Sequence, residues 1–296
     1  MPDALAARRP SIAQELALAA GRLEASSVGN GQREATSLWA AVAGVARGEV
    51  WLRRDDAPVE AVAMRFWEAV QRRSSGIPFA YAVGGVAFRR LELRLDPRAL
   101  IPRPETEGLV DLVLQGTRDG GSGRGGAAAD IGTGCGCLAL SLAVEGDFNR
   151  VVAVERSPAA AMLARENVAL VHPATPVEVR DGDLLGPLAG ERFRAIVANP
   201  PYLTAAEYAA LDPAVRMFEP REALESGADG LDATRALLAG AGALLETGGV
   251  LALEIDERRA ERVRALAREY GWSRTVVHED LFGRPRYALA FAREHA

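Results

Sequence analysis

Apolar positions in the first 80 residues recur at intervals of three and four, the spacing of one face of a helix. Three segments show this period, at residues 11–23, 33–45 and 59–73. Ser11 follows a proline, so its hydroxyl can cap the first of them. The pattern predicts a small helical N-terminal domain over residues 1–80.

After this domain the helical spacing of apolar residues ends. Residues 86–88 and 91–95 read as two short strands, the second with strict alternation, and predict a β-hairpin linker over residues 81–101. The segment 101–107 then opens a helix, with glutamate and threonine in its first turn. Residues 117–126 are rich in glycine and predict a loop.

Strands and helices alternate from residue 127 onward, which predicts an α/β domain over residues 102–296. The predicted strands are residues 127–131, 151–155, 177–180, 195–198, 250–255, 275–279 and 287–291. The predicted helices include residues 137–144, a helix starting at Ser157-Pro158, and residues 232–245 and 257–270. This order implies a mostly parallel sheet covered on both faces. Because a short turn without a helix joins the last two strands, they should form an antiparallel hairpin at one edge.

Composition narrows the function classes. The chain has 296 residues, 49% of them apolar and 25% charged, as is typical of a soluble globular protein. A formal net charge of −5 argues against a protein that wraps a nucleic-acid backbone. We find no membrane span and no export signal, and the two cysteines suit a reducing cytoplasm.

The clearest glycine motif follows the first strand of the α/β domain. Residues 130–136 read Asp-Ile-Gly-Thr-Gly-Cys-Gly and lead into a helix. Glycines let the backbone turn sharply and let a ligand approach closely. Glu155 ends the next strand, where a carboxylate can accept both ribose hydroxyls. Together these features predict a nucleoside site.

Two cofactor classes fit that site. NAD(P) remains open, although the spacing is not the full G-x-G-x-x-G. Asp130, just before the first glycine, would repel a pyrophosphate but suits the ammonium group of S-adenosylmethionine. Cys135 and Cys137 lie within the loop without a nearby histidine, so we interpret them as small packed residues and predict no metal.

A second motif follows the strand at 195–198. Asn199-Pro200-Pro201-Tyr202 forms a rigid turn, because proline restricts φ and removes backbone donors. Asn199 and the backbone oxygens then face a substrate that presents an NH2 group, and Tyr202 offers a flat face. The simple alternative is a proline turn that ends a strand.

The two motifs together resemble class I methyltransferases that act on planar NH2 groups. Residues 76–81, 100–107, 218–224, 227–231 and 280–286 are similar to the signatures of the peptide chain release factor glutamine methyltransferases, known as PrmC or HemK. The resemblance implies transfer of a methyl group from S-adenosylmethionine to the side-chain amide nitrogen (N5) of the glutamine in the Gly-Gly-Gln motif of release factors. It also implies a cytoplasmic enzyme whose partners are release factors, without direct nucleic-acid or membrane binding.

Residue roles follow from the resemblance. It implies a cofactor site made of Asp130, Gly132, Thr133, Gly134, Cys135, Gly136, Glu155, Asp183, Leu184 and Asn199. It implies a substrate site at Asn199, Pro200, Pro201 and Tyr202, with Asn199, Pro200 and Tyr202 as the catalytic residues. The chain departs from the family pattern at Leu184, where an aromatic residue is usual, at Cys135, where a small hydroxyl residue is usual, and at Asp256, where glycine is common.

Three alternatives keep the same fold. A ribosomal-protein glutamine methyltransferase differs typically in the Arg-Pro-Glu-Thr-Glu segment. An adenine-N6 nucleic-acid methyltransferase is disfavoured by the acidic charge. A non-catalytic module that only binds the cofactor is disfavoured by the intact Asn199 turn.

Overall fold

The first helix of the N-terminal region starts where the sequence supplies a cap. The computed structural model describes residues 10–119 and 125–292, which divide into one unit ending at Gly84 and a second beginning at Gly85. In the first unit the Ser11 hydroxyl accepts from the Gln14 amide, and the Gln14 side chain accepts from the Ser11 amide. This reciprocal capping box satisfies two otherwise unpaired backbone donors.

The first unit is helical in the part of the chain that is described. Its helices are α1 Ile12–Ala25, α2 Gly31–Ala43, α3 Arg47–Leu52, α4 Glu60–Ser74 and α5 Phe79–Val83. Trp39 and Phe66 meet edge to face in its core, with ring centroids 4.8 Å apart. The three long predicted helices are confirmed. The sequence did not predict α3 and α5, which are too short to show a helical period.

A β-hairpin opens the second unit. Strands β1 Gly85–Phe88 and β2 Leu91–Arg94 pair antiparallel, as predicted. The Arg94 amide donates to Asn167 Oδ1 at 2.8 Å, and Asn167 Nδ2 donates back to the Arg94 carbonyl at 3.0 Å. These two hydrogen bonds attach the hairpin to the body of the unit.

A seven-stranded sheet forms the centre of the second unit. The strands are β3 Ala127–Ile131, β4 Arg150–Glu155, β5 Val177–Asp181, β6 Phe193–Ala198, β7 Leu245–Glu254, β8 Arg274–Glu279 and β9 Pro285–Phe291. Their order is β5-β4-β3-β6-β7-β9-β8, and β9 runs antiparallel to both of its neighbours. The predicted, mostly parallel sheet with an antiparallel C-terminal hairpin is confirmed.

Helices cover this sheet. In the described residues they are α6 Pro104–Asp119, α7 Cys137–Glu145, α8 Pro158–Val171, α9 Ala205–Ala209, α10 Pro213–Phe218, α11 Asp232–Gly240 and α12 Ala260–Glu269. As predicted, Ser157 caps α8 and proline occupies its first turn. Among the described residues, no helix combines the length and the apolar character of a membrane span.

Several predicted boundaries are wrong. Helix α6 continues to Asp119, so the loop expected from residue 117 begins later, and residues 120–124 lie outside the described part. The helix expected over residues 232–245 ends at Gly240 and passes through a 3-10 turn into β7. The helix expected from residue 257 begins with a 3-10 turn at Glu257–Arg259.

Candidate active site

The glycine segment forms a loop beyond the carboxyl end of β3. The amides of Gly132 and Thr133 both donate to the carbonyl of Val154, at 2.9 and 3.0 Å. Gly134 has φ +58°, in the left-handed region that side chains disfavour. The loop therefore bends back over the neighbouring strand β4 and leaves open space above it.

Asp130 supports this loop from the interior. Its Oδ2 accepts from the Thr133 hydroxyl at 2.5 Å and from the Ala139 amide at 3.0 Å. Its Oδ1 is buried and has no hydrogen-bond partner within the described residues. Burial, with the charge of Glu155, raises the pKa of Asp130 to about 7 against the two hydrogen bonds. Asp130 thus couples the loop to α7.

Glu155 stands at the end of β4 beside the loop. Its Oε2 accepts from the Gly134 amide and its Oε1 from the Ser157 amide, each at 2.9 Å. Each carboxylate oxygen carries two lone pairs, so both retain capacity for another donor. The carboxylate is therefore oriented, and it can still accept the hydroxyls of a ribose.

Asn167 is a site residue that the sequence reasoning missed. Besides its bonds to the hairpin, Nδ2 donates to the Cys135 carbonyl at 2.8 Å, and the side chain is fully buried. A signal was present: Asn167 lies on the apolar stripe of α8 that includes Ala160, Leu163 and Ala164. A polar residue at such a position needs buried partners.

The two cysteines are packed thiols. Cys135 and Cys137 are both buried and carry no disulfide. Hydrogen bonding to Cys135 and burial raise the pKa of Cys137, which keeps the thiol protonated and poorly reactive. In the part of the chain that the structure describes, no group of three or more His, Cys, Asp or Glu side chains is placed to hold a metal ion.

The Asn-Pro-Pro-Tyr turn follows β6 directly. Asn199 Nδ2 donates to the Thr106 hydroxyl at 3.2 Å, and that hydroxyl donates to Glu254 Oε2 at 2.6 Å. Thr106 and Glu254 are each only 2% exposed. The side chain of Asn199 is therefore held by a buried chain of hydrogen bonds.

The segment after residue 220 braces the turn. The amides of Tyr202 and Leu203 donate to the Leu224 carbonyl at 3.2 and 2.8 Å. Leu203 and Glu225 form an isolated parallel bridge. The turn and the segment 218–224, both part of the resemblance, are thus adjacent in space.

An ion pair connects the segment before α6 to Glu219, which follows α10. Arg103 donates to Glu219 Oε1 at 2.7 Å, and the Ile101 amide donates to Oε2 at 3.2 Å. The Glu219 side chain is only 2% exposed. Because breaking a buried pair leaves a charge uncompensated, this contact strongly favours one position for residues 101–103.

Tyr202 lies among charged groups next to the turn. Burial and the charge of Glu254 raise the pKa of Tyr202 to about 12, and Arg286 and Arg103 oppose that change. Burial also raises the pKa of Glu254, against the Thr106 hydrogen bond and the charge of Arg286. Tyr202 therefore remains a neutral phenol at physiological pH.

A cleft of about 450 Å³ joins the two motifs. This volume lies within the usual range of small-molecule sites. Predicted site residues on its wall are Gly132, Thr133, Gly134, Cys135, Glu155, Asp183, Leu184, Asn199 and Pro201. The other predicted site residues, Asp130, Gly136, Pro200 and Tyr202, are not among the described residues that form this wall. Thr106, Glu222 and Ser226 also contribute to it.

Two family models match the chain. The PrmC N-terminal domain matches residues 14–84, and the methyltransferase small domain matches residues 112–229. The two matches fall on the helical unit and on the glycine loop with the Asn199 turn.

Relatives that align over nearly their full length agree with both family models. The chain is 41% identical over 285 residues to the release factor glutamine methyltransferase of Moorella thermoacetica, covering 96% of this chain and 99% of the relative. It is 40% identical to the enzyme of the same name from Deinococcus radiodurans, covering 93% and 96%.

Solved structures share the fold. A methyltransferase from Pyrococcus furiosus aligns with a TM-score of 0.53 at 20% identity, covering 76% of this chain and 100% of that one. The 16S rRNA N2 G1207 methyltransferase of T. thermophilus, solved with AdoMet and guanosine, aligns at 0.50 and 22% identity, covering 71% and 50%.

The sheet order, the glycine loop and the oriented glutamate define a class I methyltransferase. Within that class, sequence identity to these relatives over nearly the whole chain decides the family. The chain belongs to the release factor glutamine methyltransferases.

Proposed function

We propose that this chain transfers a methyl group from S-adenosylmethionine to the N5 amide nitrogen of the glutamine in the Gly-Gly-Gln motif of peptide chain release factors. The observation that carries the proposal is the oriented carboxamide of Asn199. It lies on the wall of the cleft that also contains the glycine loop and Glu155.

The residues of the cleft fit S-adenosylmethionine. Glu155 would accept the ribose hydroxyls, and the loop from Gly132 to Gly134 is open enough for a close approach of the ligand. Asp130 is fully buried and would contribute to cofactor binding by supporting this loop through its bonds to Thr133 and Ala139. Asp183 and Leu184 contribute to the wall where the adenine would lie. When bound, S-adenosylmethionine supplies a methyl group on a sulfonium leaving group.

The turn provides acceptors for an amide NH2 group. Asn199 Nδ2 is engaged by Thr106, which leaves Oδ1 to accept one N–H of the substrate. The carbonyl of Pro200 would accept the other, and Pro201 has no competing backbone donor. Tyr202 would pack against the amide plane. Asn199, Pro200 and Tyr202 are thus the proposed catalytic residues.

Positioning must supply most of the catalysis. An amide nitrogen is a poor nucleophile, because full loss of its resonance costs on the order of 18–20 kcal/mol. Two hydrogen bonds of roughly 1–3 kcal/mol each do not offset that cost. Alignment of the reacting atoms is worth up to roughly 7–11 kcal/mol. The turn therefore acts mainly by holding the nitrogen in line with the methyl group.

The proton leaves the nitrogen after methyl transfer. His172 caps α8 and His278 lies on β8, at the sheet edge three strands from β6. His295 lies outside the described residues. We therefore assign no histidine as a general base.

The helical unit is the proposed recognition domain for the protein substrate. The cofactor-site residues all lie in the second unit, which leaves the first available for contact with the release factor. The proposed location is the cytoplasm, where release factors act, and the proposed interaction involves neither nucleic acid nor a membrane.

Mass spectrometry tests the proposal. The purified enzyme is incubated with methyl-deuterated S-adenosylmethionine and, in parallel, a release factor, its Gln→Ala variant in the Gly-Gly-Gln motif, ribosomal proteins and DNA. We expect one labelled methyl group on the motif glutamine and none on the variant. Label on a ribosomal protein or on adenine, with an unmodified release factor, would overturn the proposal in favour of that substrate.

A further inference from the structure

The buried pair Thr106 and Glu254 stands directly behind the proposed catalytic asparagine. Strands β6 and β7 are parallel, and Ala198 pairs with Leu253. Asn199, which follows Ala198, and Glu254, the last residue of β7, therefore lie side by side at this edge of the sheet. Helix α6 crosses these strands and places Thr106, in its first turn, between the two side chains.

With Glu254 ionised, chemistry determines the direction of the hydrogen bonds that link Asn199, Thr106 and Glu254. A threonine hydroxyl has one hydrogen, and here that hydrogen is donated to the Glu254 carboxylate. The remaining lone pairs of Oγ1 can only accept. Asn199 must then turn its NH2 group, and not its oxygen, toward Thr106. In the opposite orientation, Oδ1 would face another acceptor.

We propose that Thr106 and Glu254 are positioning residues that hold the Asn199 carboxamide with Oδ1 as the acceptor toward the substrate amide. This inference rests on the proposed function, because the orientation matters only for a substrate that donates N–H groups. A flipped carboxamide would present its own NH2 to the substrate NH2, and two donors cannot pair. Thr106 and Glu254 thus act through Asn199.

The alternative is that Thr106 only anchors the start of α6. Its amide bonds to the Arg103 carbonyl at 3.0 Å, which the side chain does not affect. An anchor would influence stability and cofactor binding together with turnover. A positioning residue would influence turnover at saturating substrates and leave cofactor affinity nearly unchanged.

A pair of substitutions separates these roles. Thr106→Val keeps the shape and removes the hydroxyl, whereas Thr106→Ser keeps the hydroxyl. We expect Thr106→Val to lower kcat roughly 10- to 100-fold, with less than about a threefold change in cofactor Kd, and Thr106→Ser to recover most of the rate. Thr117→Val is the matched control on the same helix, since among the described residues the Thr117 hydroxyl donates to carbonyls of its own helix. If Thr106→Val does not fold, Thr106→Ala replaces it under the same criteria.

A spectroscopic readout makes the test independent of the substrate. The chain has only four asparagines, at positions 30, 149, 167 and 199, so selective ¹⁵N labelling of their side chains gives a simple NMR spectrum. Asn199→Ala identifies the Asn199 signals by their loss. We expect Thr106→Val to shift those signals and speed their exchange with water, and Thr106→Ser to preserve them.

The outcomes are distinct. Shifted signals together with a reduced kcat, both reversed in Thr106→Ser, support the inference. Unchanged Asn199 signals, or shifted signals with a wild-type rate, overturn it. A wild-type enzyme that leaves the release factor unmodified refutes the proposed function instead, and the NMR spectra still decide the orientation of Asn199.

Discussion

Asn167 donates a hydrogen bond of 2.8 Å to the backbone carbonyl of Cys135 from within the helix α8. The same side chain bonds both backbone groups of Arg94 in the hairpin. One buried amide therefore connects the start of the second unit to the loop of the proposed cofactor site.

Replacing Asn167 should weaken both the fold and the cofactor site. Asn167→Leu keeps the branching at Cγ but leaves three backbone groups without this partner, at about 1–3 kcal/mol for each one that becomes buried and unsatisfied. We expect a loss of several kcal/mol in the free energy of unfolding and weaker S-adenosylmethionine binding. Urea unfolding and calorimetric titration measure the two effects. Wild-type values in both would show that the loop does not depend on Asn167.

Glu155→Ala should weaken binding of S-adenosylmethionine more than tenfold. In the proposed cofactor site the variant would lose two ribose hydrogen bonds to a charged acceptor, each worth about 1.5–3 kcal/mol, and it releases the Gly134 amide. Isothermal calorimetry gives the affinity. Glu178→Ala is the control, because Glu178 is an exposed carboxylate on the edge strand β5. An affinity equal to that of wild type would remove Glu155 from the cofactor site.

Asn199→Ala should abolish methyl transfer while changing cofactor affinity much less. Interactions that strengthen in the transition state control the chemical rate, and losing one such contact costs on the order of 10²–10³ in turnover. Single-turnover methylation at saturating cofactor measures this rate. A release factor with asparagine in place of the target glutamine should also fail, because one missing methylene withdraws its NH2 group. Near-normal rates in the mutant would mean that residues 199–202 form only a turn.

Asp130 should make stability depend on pH. Its pKa is about 7 in the folded protein and about 3.9 in the unfolded chain, so between these values the folded state binds more protons. The contribution of Asp130 to stability therefore falls as pH rises from about 4 to 7, by up to about 1.4 kcal/mol per pH unit, and is constant above.

Asp130→Asn removes that titration. The free energy of unfolding of the variant, minus that of wild type, should be larger at pH 8 than at pH 5. Urea unfolding at both pH values measures this difference. Because every other titrating group is shared, the difference between the two proteins isolates Asp130. A pH-independent difference would contradict the raised pKa.

Removing residues 1–84 should leave a protein that binds S-adenosylmethionine but methylates release factor poorly. The hairpin belongs to the second unit and contacts Asn167, so truncation must stop before Gly85 to preserve the cofactor loop. Calorimetry checks cofactor binding, and a methylation time course checks activity. Full activity from the truncated protein would refute the recognition role of the helical unit.

The strands of the sheet could be predicted from the sequence, because strands show local patterns of apolar residues. Each predicted strand lies on an observed one, and the hairpin at residues 280–286 occupies the expected edge. Errors occur at boundaries, as at residue 117, where glycine content alone could not show that α6 continues. Short helices such as α3 have too few residues for a periodic signal.

The hydrogen bonds behind the turn could not be predicted from local patterns. Asn199 and Thr106 are 93 positions apart, and Thr106 and Glu254 are 148 positions apart. Their contact depends on the register of β6 with β7 and on the path of α6, neither of which a single sequence encodes as a local signal. The motif predicted Asn199 as a site residue, but it did not predict the groups that orient Asn199.

The ion pair between Arg103 and Glu219 has a consequence for the order in which the enzyme matures. Its members are 116 positions apart, so the pair closes a long loop at an entropic cost that only the ordered strands between them can offset. We expect this contact to form late, after β3 to β6 have ordered. A partly folded chain would then possess the glycine loop without an assembled catalytic turn. Methyl transfer would then begin only once this contact has formed.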